Sequence, residues 1–330
     1  GRGQAQRGGA TPEALAGVDA VASCVPYRLN LAVMEGALEA RVPYADLGGL
    51  YHMTLRQLEL DQRFRDAGVA AVVGMGCCPG LSNVLARAGA DRLDAASSID
   101  LVDGAIDEEA GFGIPYSAET ILDEFTMPAM VYENGQLREV PAGSGAVRWR
   151  FPEPLGDMEA VYTLHSELAT LPRTIEGVRN VRWRLALPPA VADGFRLLVG
   201  LGLAGDDPVG TPSGAVVPRE VLRAVLARLP KPEGPPRDVE ALVVRVAGNR
   251  GGRPAAFTGE ALFRPTPEGI SAGAFGTAIP IAVAARWLAE GRIPPGVHPP
   301  EDVLTPDEFL EDLAAEGVRL RLSLDEELRG

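Results

Sequence analysis

Lysine is almost missing from this chain: Lys231 is the only one among 330 residues, and arginine carries the rest of the positive charge. It lies in the proline-rich stretch 229–236, so chemistry through a lysine amine is not expected. Cysteine is scarce as well. Cys24, Cys77 and Cys78 are odd in number, lack metal-ligand spacing and include an adjacent pair, which does not easily close a structural disulfide. A reducing, cytoplasmic compartment is the expectation, with no metal site. Positive charge is in deficit, 31 Lys plus Arg against 45 Asp plus Glu, for a formal net charge of −14 and a pI near 4.8. Nucleic acid and anionic membranes select for basic faces and are excluded as partners on that ground. The opening GRGQAQRGGATPEA has no apolar stretch of a secretory leader, and no run reads as long enough to span a bilayer. A last absence bears on function. No G-x-G-x-x-G phosphate loop precedes the first strand-like segment: Gly1-Arg2-Gly3 follows no strand, and Gly8-Gly9 have the wrong spacing.

What is there suffices for a full core, since 46% of the residues are apolar. A helix start is marked by Thr11-Pro12-Glu13. Strands are expected at 18–25, 42–47 and 69–74. They alternate with helices at 30–40 (Leu31, Met34, Ala37 and Leu38 on one face), at 54–67 and from Leu81. Alternation at this length implies parallel pairing with right-handed crossovers. Three strand ends then meet at one sheet edge, in Ala20–Leu31, Val42–Gly49 and Gly68–Ala90, where open α/β proteins bind ligands. After Asp94 the pattern changes. Strands at 98–105, 147–151, 159–164, 178–187, 239–248 and 256–264, a hairpin over 129–140 around Glu133-Asn134-Gly135, and helices at 117–125, 188–203 and 218–229 read as a mixed α+β region. Helices at 276–290 and 306–316, the latter marked by Thr305 and Asp307, close the chain. The expected fold is α/β: a partial Rossmann-type parallel sheet (1–96 and 273–330) plus an α+β substrate and dimerisation domain with a mixed sheet (97–272).

The strand-end turns carry the chemistry. Gly76, Pro79 and Gly80 allow close backbone approach, and Ser82 or Asn83 can cap the following helix. Val25-Pro26-Tyr27 and Asp46-Leu47-Gly48-Gly49 stand beside them. Arg28, Arg182 and Arg184 are candidates for a bidentate carboxylate clamp. Of the three histidines, His165 is best placed for proton transfer, ahead of His52 and His298. Cys77-Cys78 reads as small residues packed at a tight turn, and the acidic run 103–109 as a solvated loop.

The segments at Asp19–Gly49, Gly74–Asn83 (GMGCCPGLSN), Ser117–Ala129 (SAETILDEFTMPA), Tyr162–Thr174 (YTLHSELATLPRT) and Gly291–Leu320 resemble, in order and spacing, the saccharopine dehydrogenase-like oxidoreductases, which include lysine 6-dehydrogenases and carboxynorspermidine reductases. The resemblance runs from about Ala14 onward. It implies an NAD- or NADP-dependent enzyme that oxidises or forms a C–N bond of an amino acid or amine by hydride transfer through an imine; a homodimer is expected separately, from the exposed edge of the partial parallel sheet. By that resemblance Val25, Pro26, Tyr27, Gly48, Gly49, Cys78 and Pro79 border the cofactor. Gly80, Asn83, Glu124, Ser166 and Arg184 contact substrate, and Asp46 and His165 are catalytic. The chain departs from the family in lacking the phosphate-loop part, which reads as a missing N-terminal piece, and in the altered segment from Arg182 to Ala190. A non-catalytic binding or dimerisation domain derived from the same fold is the alternative.

Overall fold

The computed structural model describes residues 14, 15, 17–107, 114, 116–229 and 234–326. The helix start at Thr11-Pro12-Glu13, Lys231, and the last two acids of the run 103–109 lie outside them. From the N-terminus, β1 (Val21–Ser23) leads through a single 3-10 turn to α1 (Asn30–Ala40), β2 (Tyr44–Asp46), α2 (Tyr51–Leu58), α3 (Asp61–Ala67), β3 (Ala70–Val72) and α4 (Leu81–Ala90). α1 buries Val33, Met34, Ala37 and Leu38 in one cluster with Tyr44, Phe64 and Ala71. The stretch 54–67, read as one helix, is two. A break at Glu59-Leu60 sets Asp61 at the head of α3, where it pairs with Arg65 and accepts from the Val297 N–H at 2.9 Å.

The middle of the chain forms β4 (Ala95–Asp107), α5 (Ala118–Thr126), β5 (Ala129–Glu133), β6 (Gln136–Val140), β7 (Val147–Arg150), β8 (Asp157–Ala160), α6 (Glu167–Thr174), β9 (Asn180–Ala186), α7 (Pro189–Gly200), β10 (Val209–Thr211), β11 (Gly214–Val216), α8 (Pro218–Leu226), β12 (Asp238–Arg250) and β13 (Arg253–Phe263). Ser117 caps α5 by accepting from the Thr120 N–H. The β5–β6 turn places Asn134 and Gly135 at φ 52° and 83°, the geometry that matches strand twist in a two-residue hairpin. Residues 103–107, read as a loop, lie in β4. The strand read over 159–164 stops at Ala160, so Tyr162–His165 runs outside any ladder. The chain closes with α9 (Ala272–Ala289), β14 (Gly296–His298), α10 (Pro300–Val303), α11 (Pro306–Ala315) and β15 (Arg319–Glu326). Thr305 occupies the N-cap of α11 without a side-chain capping bond.

Two larger sheets organise these elements. The first is parallel, in the order β1-β2-β3-β14, with β1 on its edge. The second has the order β15-β13-β12-β4-β9-β5-β6; β4 and β9 run parallel and the other neighbours antiparallel. Residues 273–330 are therefore split: β14 joins the first sheet and β15 the second. The architecture is α/β, with a partial Rossmann-type sheet beside a mixed one. Between them lies α9, capped by Ser271 on the Ala274 N–H. By length and composition α9 is long and apolar enough to cross a membrane, with mean hydropathy 1.3 over its 18 residues, contrary to the sequence reading. In this fold Ala272, Gly276, Pro280, Ile281, Val283, Ala284, Trp287 and Leu288 are buried, and the helix packs on β1, β2 and β3 of one sheet and β12 and β13 of the other.

The second sheet has two distinct faces. Ile99 and Leu101 of β4, Trp183 of β9 and Leu242 and Val244 of β12 share a core with α4, α6 and α9. Val102, Ala186, Ala241 and Val243 point the other way, onto Phe151 and Leu155 around the β7–β8 hairpin. Strand parity decides which side chains can reach the first sheet.

Candidate active site

The C-terminal ends of β1, β2 and β3 meet as expected, and one carboxylate ties them together. Asp46, at the end of β2, is fully buried. Its Oδ1 accepts from the Gly48 and Gly74 N–H groups, both at 2.8 Å, and its Oδ2 from the Tyr44 hydroxyl at 2.9 Å and from the Gln57 amide. Burial raises its pKa, and the four hydrogen bonds oppose the rise. Gly48 has φ 98°, and a Cβ there would lie 2.6 Å from Pro79 Cγ; only glycine admits this contact between two turns. Beyond β1, Val25 and Pro26 are exposed. Tyr27 is half-buried, and its hydroxyl donates to Asp123 Oδ2 of α5 at 2.6 Å.

The turn 74–80 joins the two sheets. Its base is held by Asp46 through Gly74, and Gly76 lies against the Leu47 carbonyl and Thr277 of α9. Gly80 closes it with φ 128°, where a Cβ would fall 2.2 Å from the Gly76 oxygen. Cys77 and Cys78 sit at its tip. A carboxylate oxygen of Asp103 (β4) and both sulfurs all lie within 4.8 Å of one another.

Across from this turn the second sheet and its helices gather charge. His165 stacks on Trp183, with ring centroids 3.9 Å apart at 15°; Trp183 is held in turn by Thr163. His165 Nδ1 bonds Glu167 Oε2 at 2.5 Å, and Ser82 of α4 donates to Glu167 Oε1 at 2.7 Å. Burial works to lower the His165 pKa, but Glu167 and Glu124 outweigh it and the net shift is upward. Glu124 of α5 is 2% exposed and accepts from the Tyr116 hydroxyl at 2.5 Å. Burial pushes its carboxyl up to about 7, against the pull of His165 and Tyr116. Asp103 is raised well above the ordinary carboxylate range by burial, then by Glu240, Glu167 and Glu124. Glu240 of β12 is also pushed up to about 7, chiefly by burial. Four carboxylates and one imidazole thus share a water-poor cleft. A surface depression of about 300 Å³ bordered by Phe125, Met158, Leu185 and Arg196 contains none of them.

Several candidates do not face this cleft. In the β4–β9 register Leu101 pairs with Trp183 and Val102 with Arg184, so Arg184 and Arg182 lie on the far face. Arg184 bonds Asp100, the Gly145 carbonyl and the Tyr162 hydroxyl, and Arg182 pairs with Asp100 and Glu133. Arg28 pairs with Glu119. No arginine clamp is left among these three. Asn83 is 1% exposed. Its Oδ1 accepts from the Gly80 N–H and its Nδ2 donates to Thr170 and Glu301, so Asn83 and Gly80 build the start of α4. Ser166 is buried at the head of α6 beside His165. His298 Nε2 bonds the Pro294 carbonyl.

Sequence reasoning missed Asp103, Glu167 and Glu240. Two carried a signal: Asp103 follows Ile99 and Leu101, and Glu240 precedes Leu242 and Val244, on the alternate positions that form the core face of their strands, and an acid on such a face marks a candidate site.

Residues 5–72 match the family model described as Saccharopine dehydrogenase NADP binding domain, and residues 76–318 that described as Saccharopine dehydrogenase C-terminal domain. Carboxynorspermidine synthase of Vibrio cholerae is 25% identical over 320 residues, covering 91% of this chain and 76% of the relative. The enzyme of the same name from Vibrio alginolyticus is 26% identical over 221 residues (63% and 53%), and carboxyaminopropylagmatine dehydrogenase of Synechocystis sp. 27% over 210 (61% and 52%); the match spans about half the length of these last two. Apo saccharopine dehydrogenase (L-Glu forming) from Saccharomyces cerevisiae superposes with a TM-score of 0.74 at 17% identity, over 95% of this chain and 86% of that one, and so shares the fold. With the two family models together spanning nearly its whole length, the chain belongs to the saccharopine dehydrogenase family.

Proposed function

We infer that this chain supplies the reactive side of an NAD(P)-dependent oxidoreductase that makes or breaks the C–N bond of a cationic amine through an imine. The observation that carries the reading is the cleft itself: Asp103, Glu124, Glu167 and Glu240 converge beside three parallel strand ends, with His165 as the one cationic partner among the groups that act on them most strongly. Such a site favours an ammonium or iminium group over an anion. The names of the relatives, two of them carboxynorspermidine synthases, agree with an amine substrate.

The ledge of Val25, Pro26, Gly48, Gly49, Cys78 and Pro79 fits the nicotinamide half of a dinucleotide: Val25 and Pro26 are exposed and apolar beyond β1, and behind them two glycine turns, half-buried to buried, bring backbone close. NAD(P) would supply the hydride donor or acceptor there. The protein's own part is proton handling and charge. Glu167 holds the His165 ring through Nδ1, so Nε2 is the atom that takes a proton from an ammonium or returns it. Glu124, with a pKa near 7, shares a proton with neutral-pH solution and faces the developing iminium. Ser166 lines the approach to His165. Asp46 acts as a positioning residue, because its four hydrogen bonds hold the turns on which the cofactor would rest. A cytoplasmic homodimer completes the reading: Cys24, Cys77 and Cys78 are free thiols, and Leu197, Leu201, Val221 and Val225 expose an apolar face on α7 and α8.

The test is a reductive coupling assay with NADPH or NADH, a short aliphatic diamine and an aldehyde, followed by nicotinamide absorbance. Amine-dependent oxidation of one nicotinamide is expected. Diamine binding with no nicotinamide binding or turnover would favour a binding domain and remove the enzyme reading.

A further inference from the structure

Cys78 borders the proposed ledge, but the cysteine pair takes no part in the proton handling described above. We propose that Cys77, Cys78 and Asp103 form a binding site for a thiophilic divalent cation of the zinc class at the floor of the cleft. Sγ of Cys78 lies 3.8 Å from Sγ of Cys77. Two thiolates about 2.3 Å from one tetrahedral zinc stand about 3.8 Å apart, so the pair already spans one edge of the coordination tetrahedron. The third corner is Asp103, whose carboxylate oxygen lies within 4.8 Å of both sulfurs. A second, independent observation points the same way. Asp103 is 9% exposed, and its Oδ1 is buried without a hydrogen-bond partner, a state that native interiors avoid unless something else satisfies the atom.

Charge explains why a cation, and a soft one, is called for. Asp103 is surrounded by Glu240, Glu167 and Glu124, and Glu240 also hydrogen-bonds Cys77. A bound divalent ion inverts the local field and takes both cysteines as thiolates. Two sulfur ligands exclude magnesium and calcium, which take oxygen. The turn supplies rigid support, because Gly74 is tied to Asp46 and Gly80 closes on Gly76. The proposal needs neither a cofactor nor turnover.

Co²⁺ titration of the thiol-reduced full chain is the test, since cobalt thiolates absorb by charge transfer and Zn²⁺ displaces them. One equivalent with a thiolate band is expected, abolished by zinc and in Cys78→Ser, and left intact in Cys24→Ser. Asp103→Asn, close in shape and monitored by circular dichroism for folding, should weaken Co²⁺ at least tenfold while keeping the band at saturation. Absence of a thiolate band in the wild-type protein, or its persistence in both Cys77→Ser and Cys78→Ser, would overturn the assignment.

Discussion

Asp46 ends β2 and Asp103 lies within β4, and both are buried, yet the two sheets treat them in opposite ways. In the parallel sheet Asp46 is saturated: two backbone N–H groups, a phenol and an amide converge on its two oxygens. In the mixed sheet Asp103 keeps one oxygen with no partner and has carboxylates for neighbours. A saturated buried acid holds structure in place, and an unsaturated one leaves capacity for a ligand. The first sheet therefore provides a fixed ledge, and the second the charge that acts above it.

The largest test of that contrast is Asp46→Ala, which strands four donors in the interior and should cost about 3–5 kcal/mol of unfolding free energy by chemical denaturation. Asp103→Asn should be near neutral or stabilising; an equal cost at both positions would erase the distinction. Next comes His165→Ala. With the fold retained by circular dichroism, turnover should fall roughly 10²-fold or more, and loss confined to KM would remove the imidazole from proton transfer.

A pH series separates the sheets further. Glu124 takes its proton near 7 when folded and near 4.5 when unfolded, so the folded state binds more protons between those values. Stability is greatest below about 4.5 and is lost as pH rises through 7, by roughly 1–3 kcal/mol for this group. Glu124→Gln should flatten that slope. The smallest effect is expected at Arg182→Gln on the far face of the second sheet. Its partly exposed ion pairs with Asp100 and Glu133 are worth about 0.2–1 kcal/mol, and substrate affinity should not change. A large rise in KM there would restore the arginine-clamp idea.

Much of the first sheet was legible because its signals are local. Short apolar strands end in glycine turns, and α1 begins and ends where its periodicity says. The β5–β6 hairpin was legible for the same reason, from Asn134-Gly135. Sidedness was not. Arg184 and Trp183 are neighbours in sequence, and only the register of β9 on β4 decides that Trp183 meets His165 while Arg184 faces away. Likewise Cys77, Asp103 and Glu240 come from three distant segments and meet only through tertiary packing. β15 had a readable signal in the alternation of Leu320, Leu322 and Leu324. β14, three residues between Pro295 and Pro299, had almost none.

The turn 74–80 has a mechanical consequence. It is clamped at one end to the parallel sheet through Gly74 and Asp46, and at the other to α4, which packs on β12 and β13. It therefore pins the two sheets together at the floor of the cleft, where α9 also packs on both. On the opposite lip the described residues give two side-chain contacts, Tyr27 to Asp123 and the largely exposed Arg28 to Glu119. Opening of the mouth would break those two contacts first and leave the floor undisturbed.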